Sequence, residues 1–279
     1  MRRRLLPCLL VGVLLTSLAG CGEDTTPVSA ESLPHTHTGL PAGDGTKASY
    51  VGYTLSDVTF PKKAGEPGTF SFHIETYLGK PLTSYLTELT KDMHVYVVST
   101  DLSVYRHVHP TMAADGTWSG NLTVPRDGTY RLIAEFTAKD DGGNGDQLVL
   151  GVERTVGKAT PATPLPPVST TATADGVTLD VLSELKVGQE NQMTLGLSRD
   201  GKPASLGTYL GVYAHVSAFN AETGELVHMH PLGTPETADG RSTLTFHTGF
   251  KIAGDYRMFV QTRVSGVVRT IPVTVSVTG

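Results

Sequence analysis

Six of the chain's ten histidines fall in two short segments that repeat one another. The first holds His94 and then His107-Val108-His109-Pro110. The second holds His215 and then His228-Met229-His230-Pro231, every member displaced by the same 121 positions. Neutral imidazole is a ligand for zinc or copper, and the intrinsic affinity order favours copper. The chemistry is narrowed further by the cysteines. Cys8 and Cys21 are the only two, and both lie near the start of the chain. Thiolate zinc sites, iron–sulfur clusters, blue copper and cysteine nucleophiles are thereby excluded from the rest.

Three histidines make a site only if one surface carries them. Met93–Val98 and Ser103–His109 read as two strands joined by a turn at Ser99–Leu102. Centring that turn between Thr100 and Asp101 pairs His94 with His107, Tyr96 with Tyr105 and Val97 with Val104. Directly opposed residues share a face. One face then carries Met93, Val95, Val97, Val104 and Val108, and suits a core. The other carries His94, Tyr96, Tyr105, His107 and His109. The second copy sorts likewise, with Ala214, Val216, Val227 and Met229 on one side and His215, His228 and His230 on the other. Imidazoles at such spacings can converge on one ion at about 2.0–2.1 Å. Each triad is therefore expected to hold a divalent ion, copper or zinc, with no organic cofactor. Met93 and Met229 are expected in the core, and His73 in solvent. His247 is a candidate extra ligand, and His35 and His37 are candidates for weak metal binding.

The elements that must position these hairpins also recur. Gly79-Lys80-Pro81 matches Gly201-Lys202-Pro203. Gly128-Thr129-Tyr130-Arg131 matches Gly254-Asp255-Tyr256-Arg257, now 126 positions on. A five-residue insertion therefore falls near 232–240. Alternating runs such as Phe70-Ser71-Phe72-His73-Ile74 mark half-buried strands, and turn pairs such as Asp115-Gly116 and Asp239-Gly240 separate them. About seven short strands per copy, with a Gly-x-Tyr placed like a tyrosine corner, predict two tandem immunoglobulin-like β-sandwiches and an all-β fold. The expected divisions are a signal peptide over 1–20, a flexible tether over 21–46, sandwiches over 47–157 and 173–279, and a Pro/Thr-rich linker over 158–172.

The N-terminus reads as an address. Three arginines precede an uncharged apolar stretch, Leu5–Ala19, too short to span a bilayer as a helix. It ends in Leu18-Ala19-Gly20-Cys21, which resembles the lipobox of bacterial lipoproteins. That resemblance implies cleavage before Cys21, lipidation of its thiol and attachment to the extracytoplasmic face of the cell membrane. Two or more acyl chains would hold the protein there stably. Twenty-two Lys+Arg against 27 Asp+Glu leave no basic footprint for nucleic acid.

Taken together, the Gly-Lys-Pro, Met-His, His-x-His-Pro and Gly-x-Tyr pattern resembles actinobacterial His-containing secreted lipoproteins. More distantly it resembles the YtkA/FixH-type immunoglobulin-like modules. The resemblance implies a β-sandwich outside the cytoplasm, sometimes linked to metal handling, and brings no established activity. No G-x-S-x-G elbow, phosphate loop or HExxH is present, and neither hairpin supplies a nearby acid or base, so no enzyme is expected. The leading function is metal binding at a membrane. The other is a binding or adhesion module that recognises an envelope polymer or protein without metal.

Overall fold

The computed structural model describes residues 41–279 apart from 141, 189 and 190. The signal peptide, Cys21, His35 and His37 lie outside the described residues. No helix is present among those described.

The first sandwich is built from β1 (Tyr53–Thr59), β2 (Gly68–Thr76), β3 (His94–Ser99), β4 (Tyr105–Val108), β5 (Thr111–Met112), β6 (Trp118–Leu122), β7 (Gly128–Lys139) and β8 (Gly145–Val156). One sheet runs β1-β2-β6-β5, and the sheet facing it runs β8-β7-β3-β4. The chain thus changes sheet after each pair of strands, which is the Greek-key order of an immunoglobulin-like sandwich. Phe70, Phe72 and Ile74 from β2 meet Val95, Val97, Leu132, Ala134 and Leu150 from the other sheet, all fully buried. The period-two pattern that marks these strands is what fills the space between the sheets.

The second sandwich repeats the plan. It contains β9 (Thr171–Ala174), β10 (Val177–Val181), β11 (Gln192–Arg199), β12 (Ala214–Asn220), β13 (Leu226–Met229), β14 (Glu236–Ala238), β15 (Arg241–His247), β16 (Gly254–Val264) and β17 (Val267–Val277). The sheets run β9-β10-β11-β15-β14 and β17-β16-β12-β13. The five-residue insertion falls at β14 and its turn. Tyr130 donates its hydroxyl to the Arg126 carbonyl at 2.7 Å, and Tyr256 donates to the Ile252 carbonyl at 2.9 Å. Each is a tyrosine corner at the start of a late strand.

The hairpin register differs from the expected one. Val95 pairs with Val108, Tyr96 with His107, Val97 with Arg106 and Val98 with Tyr105. That is a slip of two residues, and its cause lies in the turn. Ser99 and Asp101 capture the backbone of a longer loop. Ser103 N–H donates to Asp101 Oδ1, Val104 N–H donates to Ser99 Oγ, and Ser99 N–H closes on the Val104 carbonyl. Leu102 takes a positive φ of 56° inside it. A slip of two leaves every side chain on its original face, whereas a slip of one would have reversed them. In the second copy Ser217 pairs with His228, which is the same register displaced by 121 positions.

Two stretches read as connectors are part of the fold. The expected tether already joins a sheet at its end, where Ala42–Gly43 pairs in parallel with β8. Gly151 admits this crossing, since a Cβ there would lie 1.9 Å from the Gly45 carbonyl oxygen. The Pro/Thr-rich linker is extended but pinned. Thr163 N–H donates to Asp101, Lys158 N–H donates to Asp127, and Leu165 packs between the domains. Pro-rich composition prevents a regular element; it does not prevent docking by individual backbone groups.

The hairpin face opposite each core does not face water. Tyr96, Val98, Leu102, Tyr105 and Ile133 of the first sandwich pack against Phe219, Leu226 and Phe259 of the second. Tyr105 lies parallel to Phe259 with ring centroids 4.4 Å apart, and its hydroxyl meets Ser217 Oγ at 2.9 Å. The two histidine faces are therefore turned towards each other.

Candidate metal centre

The structure brings His94, His107 and His109 into one group and His215, His228 and His230 into another. Within each group one ring nitrogen per residue lies within 4.8 Å of the others. His94 and His215 are the first residues past the hairpin's open end and are almost fully buried. The remaining four are half-buried. Rings within a triad have centroids 4.4–5.8 Å apart.

Hydrogen bonds at the outer nitrogens decide what the inner ones can do. His94 Nε2–H donates to the Glu88 carbonyl at 3.1 Å, which leaves a lone pair on Nδ1. His107 Nδ1–H donates to Gln261 Oε1 at 2.8 Å, which leaves a lone pair on Nε2. The Gln261 amide is itself oriented, because its Nε2 donates to Thr270 Oγ1 at 3.2 Å. The two lone-pair nitrogens, His94 Nδ1 and His107 Nε2, then face each other at 3.1 Å, and His109 Nε2 stands 3.2 Å from His107 Nε2. Acceptors opposed in this way repel unless a cation lies between them. Two ligands bound to one tetrahedral ion at 2.0–2.1 Å would stand about 3.3 Å apart. The spacing fits.

The second triad follows the same plan. His215 Nε2–H donates to the Tyr209 carbonyl at 2.9 Å, and His215 Nδ1 is buried with no hydrogen-bond partner among the described residues. His228 Nδ1–H donates to Glu135 Oε2 at 2.6 Å. Glu88 and Tyr209 are 121 positions apart, and Glu135 and Gln261 are 126 apart, so each pair occupies one position of the repeat. The props are exchanged between domains. Gln261 of the second sandwich holds His107 of the first, and Glu135 of the first holds His228 of the second.

Burial disfavours the charged form of His94, His107, His109 and His215 and so favours the neutral form that ligates. Desolvation, then the charges of neighbouring histidines and Lys91, bring His109 down to about 3. Desolvation followed by His228 does the same to His215, also to about 3. His94 and His107 are lowered for the same first reason. Glu135 goes the other way from most buried acids. Burial opposes its charge, but His228, His94 and the Tyr96 hydroxyl outweigh burial and hold it at about 2. Tyr96 donates to Glu135 Oε2 at 2.7 Å and stacks on His107 with centroids 4.6 Å apart. Each triad can thus hold a metal ion, with lone pairs turned inward and hydrogen-bonded supports outside.

A family model matches residues 48–144 and 172–279, one stretch in each sandwich. The chain belongs to this family. It is described as a domain of unknown function, DUF8832. No curated protein matches. Among solved structures, invasin, a bacterial integrin-binding protein, is similar at 17% identity, covering 81% of this chain and 38% of its own, with a TM-score of 0.23. This chain therefore spans well under half of invasin. The fibronectin(III)-like modules of Clostridium thermocellum CbhA are similar at 14% identity, with 81% and 92% covered and a TM-score of 0.21. InvD of Yersinia pseudotuberculosis is similar at 14%, with 81% and 58% covered and a TM-score of 0.23.

Within this DUF8832 chain the other candidates stand apart from the centre. Met93 and Met229 are buried in the two cores. His247 is exposed on β15. His73, expected in solvent, is instead half-buried, with Nε2 meeting Thr117 Oγ1 at 2.9 Å. Sequence reasoning missed Glu135 and Gln261. Both alternate with the core residues of β7 and β16, so their side of the strand reads as solvent. Their shared repeat position was the available signal.

Proposed function

We propose that this protein is a lipid-anchored, extracytoplasmic metal-binding protein that takes up copper or zinc at its two histidine triads. It acts as a buffer or carrier without turnover. The observation that carries the reading is the fixed tautomer pair, His94 Nδ1 facing His107 Nε2, each held by a hydrogen bond at its far nitrogen. A purely structural histidine cluster would place a donor against an acceptor there. The lipobox-like Leu18-Ala19-Gly20-Cys21 supports the location, as does the resemblance to His-containing secreted lipoproteins.

Calorimetric titration of Cu(II) and Zn(II) into the intact chain tests the first part. Saturable binding is expected, lost when all six histidines become alanine in a variant whose circular dichroism remains that of a β-sandwich. Binding unchanged in that variant would leave the histidines structural and favour the adhesion module. Elemental analysis of protein from its native envelope then identifies the metal. Cys21→Ala should release the protein from membranes under a high-salt wash.

A further inference from the structure

We infer that the two triads form one binuclear centre filled in a fixed order, the His215/His228/His230 site before the His94/His107/His109 site, with Glu135 against Gln261 setting that order. The inference rests on the metal-binding reading above and adds to it the relation between the sites.

Three observations carry it. The first is contact. The His107 ring lies 5.8 Å from His215 and 6.2 Å from His228, centroid to centroid, and His94 lies 6.2 Å from His228. Rings inside one triad are as much as 5.8 Å apart, so the six imidazoles make a single cluster. An ion in one triad is separated from the other triad by no more than a ring, and its charge opposes the second ion. The second observation is the exchange of props. His107 is oriented by the second domain and His228 by the first, so neither site is complete within its own sandwich. The third is a chemical difference between the two props at equivalent positions. A carboxylate accepts from His228 and an amide oxygen accepts from His107. A carboxylate behind a ligating imidazole raises its basicity and offsets the charge of the ion, which an amide does not. Losing such a support commonly costs 10–100-fold in metal affinity.

The consequence is a division of labour. The carboxylate-supported site keeps its ion. The amide-supported site binds against that ion's charge and exchanges. A cleft lined by Glu88, Asp92, His94, Glu135, His228 and His230 reaches both triads.

Zn(II) titration of the full chain tests this, with sites identified through His109→Ala and His230→Ala, which remove one ligand each and leave both props in place. Two ions are expected, with affinities about 10–100-fold apart. His230→Ala should abolish the tighter step and His109→Ala the weaker one. Glu135→Gln should bring the two steps together, Gln261→Glu should tighten the weaker one, and the double exchange should reverse the order. Should the double variant not fold, Gln261→Glu alone carries the test. The inference is overturned by one ion per chain, by two equal steps indifferent to Glu135, or by loss of the tighter step in His109→Ala. No Zn(II) binding by the wild-type chain, with Cu(II) also unbound, would instead remove the metal-binding reading itself.

Discussion

The two halves of the histidine centre are built from the same repeat and are not equivalent. In both, a backbone carbonyl six residues upstream fixes the buried histidine, and a residue from the other domain fixes the central one. At that last position the first sandwich contributes a carboxylate and the second an amide. The hairpin loops have diverged as well. Asp101 of the first loop binds Arg126 and the linker, whereas the equivalent Glu222 is exposed and Asn220 shapes the second loop instead. A duplication keeps the geometry that positions ligands. The charges placed around that geometry are free to change, and here they did.

The common element of both halves is the apolar seam, and removing it should have the largest effect. Phe259→Ala deletes the ring stacked on Tyr105 in the middle of the interface. A loss of about 3 kcal/mol or more in unfolding free energy is expected, measured by denaturant titration. Because both props cross the seam, metal affinity should fall at both triads together. Unchanged affinity at both would mean that each site is complete within its own domain.

Replacing the central histidines separates the halves. His228→Ala leaves the Glu135 carboxylate buried with only Tyr96 as donor, while His107→Ala strands a neutral amide oxygen. An uncompensated buried charge costs about 3–5 kcal/mol, and an unsatisfied amide about 1–3 kcal/mol. The metal-free His228→Ala protein should therefore melt at a clearly lower temperature than His107→Ala. Equal melting temperatures would mean that the carboxylate is not charged in the fold.

Much of this was legible from residue types and spacing. The faces of the hairpin follow from strand alternation, and they survive the two-residue slip because the slip preserves parity. The sandwiches follow from strand count and from Tyr130 and Tyr256. What could not be read was the orientation of one copy against the other. Tyr96 and Tyr105 share the histidine face, and nothing in alternation distinguishes a face turned to water from one turned to a second domain. Glu135 and Gln261 were hidden for the same reason. Their role exists only where two surfaces meet, and pairwise contact across domains has no period.

The loop difference predicts an acid response confined to the first domain. Burial pushes the Asp101 carboxyl up, but hydrogen bonds from Ser99, the Thr163 N–H, Ser103 and Arg126 prevail and hold it well below the ordinary carboxylate range. Its unfolded value is about 3.9. A carboxylate depressed by folding contributes stability above that value, and the contribution is lost as pH falls below it. Asp101→Asn should lower stability at pH 7, by an amount that shrinks progressively as pH falls below about 4. Limited proteolysis of the variant at pH 7 should cut within 158–165 faster than in wild type. Glu222→Gln, by contrast, should change neither reading.

The smallest expected effect tests where the two copies remain alike. Tyr130 and Tyr256 are both fully buried, and each donates one hydrogen bond to a carbonyl four residues upstream. Substitution by phenylalanine keeps the ring in its core and removes only the hydroxyl, leaving the Arg126 or Ile252 carbonyl without that donor. The cost expected is about 1 kcal/mol each. The two losses should be similar, and they should add in the double variant because the corners share no partner. Both corners belong to the start of the long β7 and β16 strands, whereas Glu135 and Gln261 sit further along them. Metal affinity should therefore stay the same while melting temperature falls. A Tyr130→Phe protein that lost metal binding at only one triad would show that the two strands transmit strain differently, and the likeness of the copies would then stop at their topology.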